Sequence, residues 1–497
     1  AHQFPVLTAD EAAALIDNGS FVGFSGFTPA GAAKAVPRAI AARAREAAER
    51  GEEYRIRVLT GASTGKALDD AMADAGAIAW RAPYQSSKPL RKSINDQQTK
   101  FVDMHLSHVP QMLDFGFFGH LDVAVVEVTD IAPDGRVYLT TSIGISPSVL
   151  HHADKVILEV NRKQSQRLCE MHDIVMLPNP PHRGPIPIHS PMTKIGTPFA
   201  TVDPKKIIGV VESDEMDGIA PFAEPDDASR RIAGHVVDFL VSELREGRIP
   251  TEFLPIQSGV GNIANAVMNG LGESPEVPPF YMYSEVFQDA LVQLMERGQL
   301  KGASTTSLTL SDAAMSHVFD NMDFFIPRLV LRPQELSNNP GVVRRLGVVA
   351  INTVLEMDIY GNANSTHVCG TKLMNGIGGS GDFVRNAYLS ILVAPSVAKG
   401  GAISAVVPMV THVDHNEHSV QVLVTEHGLA DLRGLGPIER ARRIIDTCAH
   451  PAYRDYLRSY LEQSPGGHIH HDLSRCFELH RNLLEHGAML PGVEVGV

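Results

Sequence analysis

Short apolar runs, each followed by a loop of small residues and then a helical pattern, recur along the N-terminal half of the chain. Thr8-Ala9-Asp10 opens a helix whose apolar positions between Glu11 and Asp17 fall at helical spacing. Phe21 to Phe24 then reads as a buried strand. The loop Ser25-Gly26-Phe27-Thr28-Pro29-Ala30-Gly31 leads from it into a helix rich in Ala and Arg that ends near Gly51. Arg55 to Thr60, followed by Gly61-Ala62-Ser63-Thr64-Gly65, repeats the strand and small-residue loop. This alternation is the signature of an α/β domain.

The two halves of the chain echo each other. Val123 to Glu127 leads through Asp134-Gly135 to Thr141-Ser142-Ile143-Gly144, and Val348 to Glu356 leads through Tyr360-Gly361-Asn362 to Asn364-Ser365-Thr366. Lys155 to Asn161 is matched by Val420 to Glu426. The Gly, Pro and acid stretch Asp217 to Asp227 separates the halves, and an amphipathic helix from Ala228 to Arg248 follows, with Leu240 and Val241 on its apolar side. The expected domains are residues 1–218 and 219–497, both α/β. Leu177 to Pro198 carries seven prolines and no periodicity, so it reads as a long ordered loop or flap.

Length agrees, since 497 residues exceed one ordinary core. With 44% apolar and 20% charged residues the chain is globular, and a net charge of -14 without a basic stripe excludes an ordinary nucleic-acid reader. It also offers nothing to anionic lipid. No apolar leader occupies Ala1 to Phe21 and no apolar run is long enough to span a bilayer, so a cytoplasmic protein without a membrane is expected. Cys169, Cys369, Cys448 and Cys476 are too dispersed for a zinc knuckle.

Several segments carry candidate chemistry. Gln257-Ser258-Gly259-Val260-Gly261-Asn262-Ile263 follows an apolar run and opens a helix, where backbone N–H groups cradle an anion, or simply make a tight turn. No Gly-Lys-Ser/Thr follows, which excludes a Walker loop. Asn375 to Asp382 contains the Gly-x-Gly-x-x-Gly string without a clean strand before it, so an oxyanion nest fits better than a dinucleotide fold. Ser284 reads as an N-cap, with Glu285 in the first turn of a helix that ends at Gly298. That place suits any acid for stability, and it also suits a carboxylate kept ionised for attack. His412 to His418 and His468 to Asp472 hold ligand types but lack His-Glu-x-x-His, and no Gly-x-Ser-x-Gly elbow is present.

These pieces, in this order, resemble the acetyl-CoA hydrolase/transferase family, whose known members include succinyl-CoA:acetate CoA-transferases. The resemblance runs from Gly23 to Pro451 and is densest at Gln257–Val267, Tyr283–Asp289, Ser337–Gly341, Asp358–Thr366, Met374–Phe383 and Thr425–Leu435. It implies two tandem related CoA-transferase-type α/β domains, an active site in the cleft between them, and a homodimer. Glu285 matches the family's catalytic glutamate, which works by ping-pong through a glutamyl-CoA thioester with neither metal nor organic cofactor. Oxyanion donors then fall at Val260 and Gly379, and Asn338 and Glu426 match polar residues beside the nucleophile. Gly259, Val260, Gly261, Asn262, Ile263, Asn375, Gly379 and Lys399 match CoA-contacting positions.

The implied substrates are acyl-CoA and small carboxylates, with succinyl-CoA the expected donor. Two departures bear on the acceptor. Gly218-Ile219 stand where many relatives carry Arg-Asn, and Ala30-Gly31-Ala32-Ala33-Lys34 replaces a loop with an aromatic ring. An acceptor larger than acetate follows, a C4–C5 acid such as itaconate, with Arg183 and His189 as candidate partners for a distal carboxylate. An acyl-CoA hydrolase and a CoA-sensing binding protein are the rival readings.

Overall fold

Seven strands build the first sheet: β1 (Phe21–Phe24), β2 (Ile56–Leu59), β3 (Ile78–Ala82), β4 (Lys100–Phe101), β5 (Val123–Val128), β6 (Lys155–Asn161) and β7 (Ile207–Ser213). Their order is β7-β6-β5-β1-β2-β3-β4, and every pairing is parallel. Strands covered on both faces read as near-continuous apolar runs, and β1 and β5 are buried at every position, with Glu127 of β5 the charged exception. The computed structural model describes residues 3–496. Thr8 caps the opening helix Ala9–Ala14 through a reciprocal bond with Glu11, and Ala35–Glu49 is the helix expected after β1. Strand order reverses between β1 and β5, so the loops at their C-terminal ends frame the crevice where such sheets bind ligands.

The chain divides into two compact units, and the first holds more than the N-terminal half. Residues up to Pro221 are joined there by Tyr281–Leu346 and Asn375–Asp382. The expected break at Gly218/Ile219 falls within a few residues of the observed one, but assigning everything beyond it to a second domain does not match. Long-range backbone bonds account for the difference. Leu308 N–H donates to the Thr141 carbonyl at 2.8 Å, Ile143 N–H to Thr306 at 2.9 Å, and Gln334 N–H to Gly144 at 3.0 Å. Strands Leu300–Thr305 and Leu329–Leu331 run parallel in this returning segment.

The Pro-rich loop is strapped down within the same unit. Buried Arg332 donates to the Pro191 and Thr193 carbonyls at 2.8 and 2.7 Å, and Arg345 donates to those of Ile186 and Ile188. It is an ordered loop.

The second unit comprises Phe222–Phe280, Gly347–Met374 and Phe383 onward. Strands Ile256–Ser258, Val349–Thr353, Leu389–Val393 and Val422–Thr425 pair in parallel in that order, and Gly428–Asp431 closes the edge antiparallel. Helix Asp227–Arg245, capped by Asp226, buries Leu240 and Val241 as the periodicity requires. Both units are thus mixed α/β with parallel strands. Among the described residues no helix is long and apolar enough to cross a membrane.

Candidate active site

Glu285 does not lie on a helix. It sits between strands Phe280–Tyr283 and Val286–Gln288, and the helix expected to begin beside it starts at Asp289. Tertiary pairing overrides the local capping pattern here. Ser284 N–H donates to the Ser304 carbonyl at 2.8 Å, and the Glu285 carbonyl accepts from Thr306 and Ser307 at 2.8 and 3.1 Å. The electrostatics therefore differ from those of a helix N-terminus. Burial pushes the Glu285 carboxyl up to about 7, a hydrogen bond from Asn338 opposes the shift, and the Asp382 carboxyl adds to it. The group is a half-buried carboxylate poised to lose its proton near neutrality.

Asn338 is fully buried at the end of the short helix Gln334–Ser337. Its amide oxygen accepts from the Ser337 hydroxyl at 2.7 Å, and the Tyr283 hydroxyl donates to the Leu336 carbonyl two residues earlier. Gln334 donates from one amide to the Gly61 and Leu106 carbonyls at 3.0 and 2.8 Å, which ties this turn to loops beyond the first sheet.

The Gly-rich segment Asn375–Asp382 is pinned to the same unit. Ile377 N–H donates to Asp103 at 2.9 Å, Asn375 accepts from Arg91 at 2.6 Å, and Asp382 accepts from Ser107 N–H at 3.0 Å and Ser107 Oγ at 2.5 Å. Gly379 faces the carboxyl of Glu285 directly: a Cβ there would lie 2.2 Å from Oε1. Only glycine permits this approach. Glu285, Asn338, Gly379 and Asn375 therefore belong to one unit, and the sequence reading missed Asp382, Ser107, Tyr84 and Asp103 beside them. Of these only Asp382 carried a sequence signal, as the last residue of the glycine string.

A cavity of about 390 Å³ opens at the C-terminal edge of the first sheet. Pro29, Ala32 and Lys34 line it from the loop after β1, Thr64 to Leu68 from the loop after β2, and Glu215 to Ala220 from beyond β7. The two departures noted in the sequence, Ala32 and Gly218, thus face one cavity. Gly218 has φ +73° and open space around it. Lys34 is buried, which disfavours its charge, but Glu127 at 2.5 Å and Asp217 at 3.1 Å hold it protonated above the ordinary lysine range. Arg183 is not placed for a substrate, because it pairs with Glu335 at 2.8 Å, and His189 is exposed on the strapped loop. The cations lining the cavity are Lys34, Arg38 and Lys66.

The remaining candidates belong to the second unit, where the glycine turn and Glu426 follow parallel strands and Lys399 follows the short antiparallel strand Val397–Ala398. Gly259, Val260, Gly261, Asn262 and Ile263 lead from Ile256–Ser258 into helix Asn262–Glu273, with Gly261 at φ +124° as its N-cap. A reciprocal amide pair, Gln257 with Asn352 at 3.0 and 2.9 Å, steadies that turn from below. Lys399 is exposed in a left-handed turn that continues through Gly400 and Gly401. Glu426 accepts from Ser396 N–H at 2.6 Å. The histidine-rich segments are used internally: Asp414 accepts from Thr366 at 2.8 Å, and His471 pairs with the Tyr460 hydroxyl at 2.7 Å.

The site thus brings a carboxyl raised by burial against a glycine turn within an α/β unit. Sequence comparison supplies the rest. The acetyl-CoA hydrolase/transferase N-terminal domain matches residues 2–212 and the C-terminal domain residues 315–461, and the chain belongs to this family. It is 58% identical to the propanoyl-CoA:succinate CoA transferase of Escherichia coli, covering 98% of this chain and 99% of that one. It is 46% identical to the succinyl-CoA:acetate CoA-transferase of Clostridium kluyveri (98% and 90% covered) and 43% to the acetyl-CoA hydrolase of Schizosaccharomyces pombe (95% and 93%). Among solved structures, RipA from Yersinia pestis has TM-score 0.68 at 24% identity, covering 92% of this chain and 96% of that one. The 4-hydroxybutyrate CoA-transferase of Porphyromonas gingivalis has TM-score 0.62 at 23% identity, with 92% and 97% covered. The chain is an enzyme of the CoA-transferase class.

Proposed function

We propose that this enzyme moves CoA between carboxylic acids through Glu285, in two half-reactions. The Glu285 carboxylate attacks the thioester carbonyl of an acyl-CoA, the C–S bond breaks, and an acyl-glutamyl anhydride and CoA thiolate result. The thiolate then attacks the glutamyl carbonyl, releasing the acyl group as a free carboxylate and leaving a glutamyl-CoA thioester. A second carboxylate reverses the sequence and leaves as its CoA thioester. Each attack forms an oxyanion that needs fixed donors, and the backbone N–H groups of Val260 and Gly379 are the candidates. Asn338 and Glu426 orient the polar groups. The CoA moiety is assigned to Gly259, Val260, Gly261, Asn262, Ile263, Asn375, Gly379 and Lys399. The same reading takes no metal or organic cofactor and a homodimeric assembly.

The observation that carries this reading is the Glu285 carboxyl itself, half-buried, bonded by Asn338 and pressed against Gly379. A C4–C5 acid over acetate is assigned to the cavity walled by Ala32 and Gly218, whose lining includes Lys34 but not Glu285 itself. The Escherichia coli relative, named for propanoyl-CoA and succinate, puts that pair first in any panel, with itaconate next. Hydrolysis is the second reading, because relatives at 43% identity carry that name. Steady-state assays with succinyl-CoA and propanoyl-CoA against acetate, propionate, succinate and itaconate separate the two. Transfer predicts that CoA exchange depends steeply on the added acid; thiol release indifferent to any acid would establish the hydrolase.

A further inference from the structure

Two carboxyl groups, not one, converge on the Asn338 amide. Its oxygen accepts from the Ser337 hydroxyl at 2.7 Å, and its nitrogen carries two hydrogens. One is directed to Asp382 Oδ2 at 3.4 Å, and the side chain also bonds the Glu285 carboxyl. In their ionised forms both carboxyls only accept and so meet the nitrogen side of the amide, and the Ser337 bond to its oxygen fixes which way Asn338 points. Asp382 is in turn buried and anchored by Ser107, through N–H at 3.0 Å and Oγ at 2.5 Å. It also stands on helix Ser380–Val384, directly after the glycine that abuts Glu285. One side chain therefore holds both the amide that aims the nucleophile and the backbone turn beneath it.

We propose that Asp382 is the positioning residue for Glu285, holding Asn338 and the Gly379 turn in place and setting the charge that Glu285 feels as it ionises. The proposal rests on the reading of Glu285 as the nucleophile. Burial also pushes the Asp382 carboxyl up to about 7, partly opposed by the Ser107 and Asn338 bonds, so two carboxyls of similar affinity face each other's protons. The other titratable or charged groups around them are Tyr84, whose phenol feels Glu285; Asp103 and Arg91 on the glycine segment; and His105, whose ring would lie 2.2 Å from a Cβ at Gly381.

Asp382→Asn separates the two tasks. The asparagine oxygen can take the donors now on Oδ2, and its nitrogen can donate to Ser107 Oγ, which then turns from donor to acceptor. Position is kept and charge is lost. Asp382→Ala loses both. The experiment incubates each variant with an acyl-CoA and follows the mass of protein-bound CoA against time from about pH 5 to 9. Removing a like charge lowers the Glu285 pKa, so the acid limb of adduct formation in Asp382→Asn should move down by roughly one pH unit. Asp382→Ala should form adduct roughly 100-fold more slowly at every pH, the loss expected when an attacking group is misplaced. An Asp382→Asn profile that coincides with wild type, or an alanine variant as fast as asparagine, overturns the proposal. A wild type that forms no adduct at all would instead refute the role of Glu285.

Discussion

Gly379→Ala isolates the closest approach in the site. The φ of Gly379 lies outside the left-handed region, so an alanine backbone is permitted and the fold should survive. Its methyl, however, would stand 2.2 Å from Glu285 Oε1 and 2.3 Å from both Cδ and Oε2, where ordinary contact begins at 3.4 Å. The carboxyl, which is the mobile partner, must retreat by about 1.2 Å, away from the geometry that Asn338 enforces. A displacement of that size is worth roughly 100-fold in rate, or about 2.7 kcal/mol on the barrier. The assay is single-turnover formation of protein-bound CoA, run beside Gly234→Ala as a control. Gly234 lies on helix Asp227–Arg245 with nothing within 4 Å of an added Cβ, so that variant should match wild type in rate. Gly379→Ala turning over at wild-type speed, with intact thermal unfolding, would refute the inference that this backbone positions the nucleophile.

The raised Glu285 carboxyl yields a stability prediction with a definite sign. Its folded value of about 7 lies above the ordinary 4.5, so stability is lost as pH rises through that window. Glu285→Gln should therefore be more stable than wild type at about pH 8 by ~1–3 kcal/mol in urea unfolding, with the gain gone near pH 4; equal stability at both would count against the buried carboxylate. Activity should show the matching acid limb in kcat/KM, centred near 7, because only the carboxylate attacks. Ala32→Tyr should place a ring in the 390 Å³ cavity and lower kcat/KM for succinate relative to acetate by at least about tenfold; an unchanged ratio would remove Ala32 from acceptor choice.

Much of the scaffold was legible because parallel strands buried on both faces leave continuous apolar runs in the sequence. Phe21–Phe24 was read to the residue and the helix after Asp226 to within three, while Lys155–Asn161, noted only as half of an internal echo, is a full strand. The error at Glu285 has a physical cause. Ser-Glu-Val ahead of a helical pattern looks like a cap, but the backbone there is taken by Ser304, Thr306 and Ser307, partners about twenty positions away. Other long-range bonds, pairing Thr141, Ile143 and Gly144 with Leu308, Thr306 and Gln334, draw Tyr281–Leu346 into the first unit. Asp382 was visible as the end of the glycine string, but its role was not, since the Ser107 that anchors it lies 275 positions earlier. The loop departures at Ala32 and Gly218 could be seen as changes, but only the folded chain places them on one cavity.

The central claim is that CoA becomes covalently attached to Glu285. Its most direct test is peptide mass mapping of the enzyme after brief incubation with succinyl-CoA or propanoyl-CoA and acid quenching. The account predicts a mass gain of CoA less one water on the peptide containing Glu285, absent from Glu285→Ala and lost when a carboxylate acceptor is added before the quench. Turnover with no adduct on that peptide, or an alanine variant that still transfers CoA, would contradict it.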